Sequence, residues 1–146
     1  MLFAEGFLML AMTITQELGT LPVTVLHVQG KLDGSNYENL VDEAQKIYEA
    51  GARRLVLDLE KLTFLSSAGI SALHRVALLF QGRQRNELEE GWHAFHALGR
   101  DRDDGMQKFV KLLNPAQGVA KVLQMVGFDA YFEIYSEMNQ AVTSFH

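Results

Sequence analysis

Residues 62 to 71 read LTFLSSAGIS, an apolar run, two adjacent serines and a helix-like continuation. Strand, serine and helix in succession suggest a nucleophile elbow, whose motif is G-x-S-x-G with the serine on a sharp turn. Here Leu65 stands where the first glycine belongs, so half of that signature is present at Ser67. A hydrolase also needs a histidine base and an acid downstream; His93, His96 and His146 follow, none in a telling context. His93 and His96 lie near Glu89 and Glu90, yet a three-residue spacing with no further ligand motif reads as solvated side chains rather than a metal site. His27 and His74 sit in apolar contexts and read as packed or hydrogen-bonded. Asp58, at the end of an apolar run, invites comparison with a phospho-accepting aspartate, but no acidic pair follows the first strand to hold Mg²⁺; a polar residue where the chain leaves a sheet is the simpler reading. No P-loop and no G-x-G-x-x-G occurs, and no cofactor is expected.

The serine pair has a reading that needs no catalysis. One serine can cap the helix, its oxygen accepting a free N–H of the first turn, typically worth about 1 kcal/mol. The other is then spare, at a helix end where unpaired N–H groups and the positive end of the dipole face outward. A phosphate there would add roughly −1.5 to −2 charges without unfolding the domain, and a partner docked over that spot would be repelled. The pair can thus act as a binding switch.

At 146 residues the chain is the size of one domain, and 48% hydrophobic with 21% charged residues is an ordinary globular composition. A net charge of −5 argues against nucleic acid or an anionic membrane as the main partner. The absence of cysteine removes disulfides, thiolate metal sites and thiol nucleophiles, and is compatible with a cytoplasmic location. Residues 1 to 11, MLFAEGFLMLA, lack a basic leader, include Glu5 and are too short to span a bilayer, so no membrane insertion is expected of them; they read as an appendage, whether a misassigned upstream start, a partner-binding extension or a dimer arm, which leaves a homodimer among the assemblies to test.

From Met12 a domain is expected to run to residue 146. TITQEL and VTVLHVQG, separated by Gly19 and Pro22, predict an opening β-hairpin. Ser35 with Glu38 forms a capping-box pattern before the helical spacing of Tyr37, Leu40, Val41, Ala44, Ile47 and Tyr48. RLVLDL at 54 to 59 predicts a buried strand, and a helix is expected from about Ala68 to Phe80. FVKLLN predicts a strand, Asn114 and Pro115 a helix start, Gly127 the end of that helix, AYFEIY a last strand and EMNQAVTSF a last helix. The order β-β-α-β-α-β-α-β-α implies an α/β fold, a mixed sheet with about four helices packed on it. Residues 82 to 104, charged on both signs and holding Trp92 and Phe95, read as an insertion that is either surface or partner contact.

Three segments together resemble the STAS domain of the anti-sigma factor antagonist family. VLHVQGKLDGSNYENL is similar to that family's G-x-L-D turn and first helix, RLVLDLEKLTFLSSAGISAL to its central strand, serine loop and helix, and NPAQGVAKVLQMVGFDAYFEIY to its closing helix, glycine and strand. The family loop reads D-S-S-G or D-S-T-G. Placing Gly69 on its glycine puts Ser67 at the phosphorylated position, Ser66 at the aspartate and Ala68 at the second hydroxyl. The resemblance implies a regulatory module and no enzyme: phosphorylation at Ser67, and a partner-binding face of Asp33, Gly34, Ser35, Asn36, Ser66, Ala68 and Gly69. The implied partner is an anti-sigma factor with serine kinase activity, released when Ser67 is modified. A constitutive scaffold or accessory subunit is the alternative within the fold, and a small serine hydrolase the one outside it.

Overall fold

The computed structural model describes residues 10–83 and 106–146. Residues 1–9 of the expected appendage and most of the charged insertion, with Trp92, Phe95, His93 and His96, lie outside the described residues, and Ala11 of the appendage belongs to the first strand.

β1 (Ala11–Leu18) and β2 (Pro22–Leu32) form the opening hairpin, in antiparallel register from Ala11 opposite Gln29 to Leu18 opposite Pro22. Both strands run longer than the apolar runs that announce them. β3 (Leu55–Asp58) joins β2 in parallel, β5 (Val110–Leu113) joins β3, and β6 (Ile134–Tyr135) joins β5, also in parallel. The sheet order is therefore β1-β2-β3-β5-β6, with β4 (Leu62–Leu65) pairing alongside the far end of β2.

Alternation along β2 sorts its side chains onto two faces, as a period of two requires. Leu26 and Val28 enter the main core with residues of α1 (Tyr37–Glu49), α2 (Ser67–Phe80) and α3 (Gln117–Met125). Val23 and Val25 point the other way, where Val56 and Leu113 meet Ala141, Val142 and Phe145 of the C-terminal segment, which includes α4 (Met138–Thr143). α2 is buried nearly all round, from Ala72 to Phe80, as expected of a mean hydropathy carried by Ile70, Leu73, Val76, Leu78 and Leu79.

The structure departs from the sequence expectations at four places. Ser35 does not cap α1: Asn36 holds the N-cap position, and the Ser35 hydroxyl and N–H both go to Asp33. α3 starts at Gln117 and not at Pro115, because Asn114 adopts a left-handed conformation (φ 50°), pinned by its N–H to Tyr135 O at 2.6 Å, and Ala116 is still extended. AYFEIY is strand only at Ile134–Tyr135; Phe128–Ala130 is a 3₁₀ turn, and Tyr131 and Phe132 are buried against Phe128, ring centroids 5.1 to 6.2 Å apart. β4, the strand-like run ahead of the serines, has no place in the expected element order, yet it is a separate strand paired with β2. Gly127 does close α3, in a left-handed conformation at φ 82°.

Candidate functional site

Two loops leave the same end of the sheet. At Gly30 (φ 106°) a bulge turns β2 so that Leu32 pairs with Leu65 of β4; a side chain at Gly30 would be strained in that conformation. The junction is held by Gly30 N–H to Lys61 O at 3.0 Å, Thr63 Oγ1 to Gly30 O at 3.0 Å and Ser66 N–H to Leu32 O at 3.0 Å. That last bond ties the serine loop after β4 directly to the Asp33 turn after β2.

In the serine loop the two hydroxyls have separate fates. Ser66 is the N-cap of α2, extended at φ −89° and ψ 176°, and its Oγ accepts the Gly69 N–H at 3.2 Å. Ser67 is the first helical residue; it is exposed, and its hydroxyl has no hydrogen bond among the described residues. Ala68 is half-buried. Gly69 is buried where a Cβ would stand 2.9 Å from Leu32 O and 2.7 Å from Leu65 Cδ1, so the start of α2 lies against the backbone of β2.

The neighbouring turn is built around two side chains. Asp33 Oδ1 accepts the Ser35 N–H at 2.9 Å and the Ser35 hydroxyl at 2.6 Å, while Asp33 O accepts the N–H groups of Asn36 and Tyr37. Asn36 faces inward: its Oδ1 accepts the Asp33 N–H at 3.0 Å and its Nδ2 donates to Lys31 O at 2.8 Å. Asn36 and Gly69, both expected on the docking face, are thus buried. Asp33, Gly34, Ser35, Ser66, Ser67 and Ala68 remain exposed or half-exposed.

The hydrogen bond from the Ser35 hydroxyl, reinforced by the Ser35 N–H and by Lys31, holds the Asp33 carboxyl below its ordinary value of 3.8, against a smaller opposing effect of burial. A depressed carboxyl stabilises the fold above its unfolded pKa and loses that contribution as pH falls through the folded pKa. Ser35→Ala is therefore expected to move the Asp33 titration upward, toward the ordinary value, in a carboxyl-carbon NMR titration; an unmoved midpoint would show that the hydroxyl does not hold this charge.

Two features of this region went unread in the sequence. Phe64, paired with Lys31 and three residues before Ser67, is 48% exposed beside buried Leu62 and Leu65; reading LTFL as a strand would have turned it outward. The other is a row of three groups on the far face of the sheet: Thr15 Oγ1 lies 2.8 Å from His27 Nε2, and His27 Nδ1 lies 2.7 Å from Asp58 Oδ2. Asp58 Oδ1 also accepts the Glu60 N–H at 3.1 Å, so its carboxylate is engaged at both oxygens. This row ties β1 to β3 across β2. The hydroxyl it aligns belongs to Thr15, and Ser67 has no imidazole partner among the described residues.

Residues 19–87 match the family model described as Mlab, STAS domain. That stretch, a little under half of the chain, resembles a STAS domain. Among solved structures, the chain is similar to an anti-sigma factor antagonist from Mycobacterium paratuberculosis, at 16% identity and a TM-score of 0.66 over 93% of both chains. It is also similar to the Bacillus cell fate determinant SpoIIAA in its phosphorylated form, at 20% identity and a TM-score of 0.50 over 90% of this chain and 98% of that one. At these identities the likeness establishes a shared fold. No curated protein matches the sequence. Among the described residues no helix is long and apolar enough to cross a membrane, and no three His, Asp or Glu side chains gather as a metal site.

Proposed function

We propose that this STAS domain is a switchable protein-binding module that antagonises an anti-sigma factor of the serine-kinase type in the cytoplasm, with Ser67 as the group that the kinase modifies. The observation that carries this reading is the division of labour in the serine loop: Ser66 caps α2, and Ser67 is left exposed at the helix N-terminus with its hydroxyl unengaged. A phosphate on Ser67 would sit where the helix dipole and the first-turn N–H groups favour negative charge, so modification leaves the fold intact and changes only the surface. That surface comprises Asp33, Gly34 and Ser35 on one loop, Ser66, Ser67 and Ala68 on the other, and Phe64 as an exposed aromatic anchor of the kind that dominates interfaces. Two proteins of similar structure, an anti-sigma factor antagonist and one solved in phosphorylated form, support the same reading.

The test is incubation with a candidate kinase-type anti-sigma factor and ATP, read by intact mass. Wild type is expected to gain one phosphate, Ser66→Ala to keep that capacity, and Ser67→Ala to lose it. A second reading, a constitutive scaffold or accessory subunit, is favoured by Ser66 standing where the family loop has an aspartate. Unmodified protein that nevertheless holds its partner would select that reading over the switch.

A further inference from the structure

At the opposite end of the sheet from Ser67, the chain enters β3 just after Arg54 and β5 just after Phe109, with Leu55 N–H bonded to Phe109 O at 3.0 Å. A cavity of about 500 Å³ opens there, of a size that takes a small molecule. Its lining concentrates positive charge in a protein whose net charge is −5: Arg53, Arg54, Lys108 and Lys111 against one acidic side chain, Glu133, and the terminal residue His146.

The four cations are not equivalent. Lys111 forms the floor; it is buried, with Nζ 2.8 Å from Ser144 Oγ, 3.4 Å from Glu133 Oε2 and 4.3 Å from the Phe145 ring centroid. A buried ammonium costs desolvation unless so held, and the ion pair with Glu133 offsets its charge. Arg53 is anchored through Nη1 to Tyr48 O and Ala52 O, its guanidinium 3.8 Å over the Tyr48 ring, which fixes its position at the wall. Arg54 and Lys108 have no side-chain hydrogen bond or ion pair among the described residues. Two cations without a partner among the described residues therefore line a concavity together with a fixed guanidinium and a neutralised floor; the two arginines also border a neighbouring cavity beside Thr24 and Lys46. Phe109, 43% exposed, gives the same cavity an apolar wall.

We infer that this cavity binds a phosphate group carried on an apolar or aromatic body, with Arg54 and Lys108 gripping the phosphate and Phe109 packing against the body. A guanidinium and an ammonium lining one cavity suit a phosphate better than a carboxylate, since charge-assisted hydrogen bonds can reach several of its oxygens at once. The cavity lies at the ends of β3 and β5 remote from the Asp33 and Ser66 loops, so an occupant leaves the Ser67 surface open.

Titrating the isotope-labelled full chain with phenyl phosphate tests this. Saturable shifts are expected at the amides of Arg53, Arg54, Lys108 and Phe109, displaced by inorganic pyrophosphate and weakened about tenfold or more in Arg54→Ala and separately in Lys108→Ala. Lys108 is exposed, so its variant tests the site with the fold undisturbed. A second arm measures co-sedimentation with phosphatidylglycerol and phosphatidylcholine vesicles. Retention by the anionic vesicles alone, lost in both variants, assigns the phosphate to a lipid headgroup; binding of phenyl phosphate without vesicle retention assigns it to a free small molecule. The inference is overturned if neither phenyl phosphate nor pyrophosphate shifts these amides and the two vesicle types behave alike, or if both variants leave every response unchanged.

Discussion

Gly69→Ala is expected to destabilise the domain by about 1–3 kcal/mol, the usual cost of forcing atoms into a packed site. The added methyl would stand 2.9 Å from the Leu32 carbonyl oxygen and 2.7 Å from Leu65 Cδ1. The leucine methyl can rotate away; the carbonyl cannot, because it is bonded to the Ser66 N–H. An opposing effect exists, since alanine favours a helix over glycine by up to about 1 kcal/mol, but that is an interior figure and Gly69 sits in the first turn. The clash outweighs it. α2 must then lift from β2, which also stretches the 3.2 Å bond between Gly69 N–H and Ser66 Oγ and displaces Ser67. A urea titration measures the loss, and Gly34→Ala serves as the control: nothing lies within 4 Å of its added carbon, so little change is expected there. Equal stability of Gly69→Ala and wild type would mean that the close approach of α2 to Leu32 is not needed.

Asn36→Ala is expected to cost about 2–4 kcal/mol, because it strands two backbone groups, each worth about 1–3 kcal/mol when left unpaired in a buried place. Those groups are the Asp33 N–H and the Lys31 carbonyl, bonded by the Asn36 amide at 3.0 and 2.8 Å. Asn36→Asp separates the two contributions: it keeps the acceptor for Asp33 N–H and loses the donor to Lys31 O, so an intermediate loss is expected. If both variants melt with wild type, water replaces the amide and the turn does not depend on it. Neither residue touches a partner in this account. Both position the side chains that do, and partner affinity should fall in these variants only as the loop geometry relaxes.

The serine cap was legible because capping is a local event: an oxygen three residues from the N–H it accepts, at a place where an apolar run gives way to a helix. The opening hairpin, β3, β5 and α1 were legible from alternation and helical spacing for the same reason. Ser35 was misread through a competition that the spacing does not reveal. In a capping box its Oγ would accept a first-turn N–H and Glu38 would accept its own N–H; instead the Asp33 carboxylate, two residues earlier, accepts both the Ser35 N–H and the Ser35 hydroxyl. β4 escaped because its partner is the stretch of β2 beyond the Gly30 bulge, more than thirty residues upstream, and a four-residue run bears little pattern of its own. The opposite error at AYFEIY came from aromatics that suit a strand but are used here to pack a turn on Phe128. The row Thr15, His27 and Asp58 spans 12 and 31 residues of sequence, so no local motif could reveal it.

The account's central claim is that the state of the Ser67 hydroxyl decides whether a partner stays bound. It is tested most directly by calorimetric titration of a kinase-type anti-sigma factor with unmodified protein and with protein carrying one phosphate on Ser67. Burying that charge under a docked partner is expected to weaken binding by at least about tenfold, equivalent to roughly 1.4 kcal/mol. Ser67→Ala should bind like the unmodified protein. Equal affinity of the phosphorylated and unmodified forms would contradict the claim.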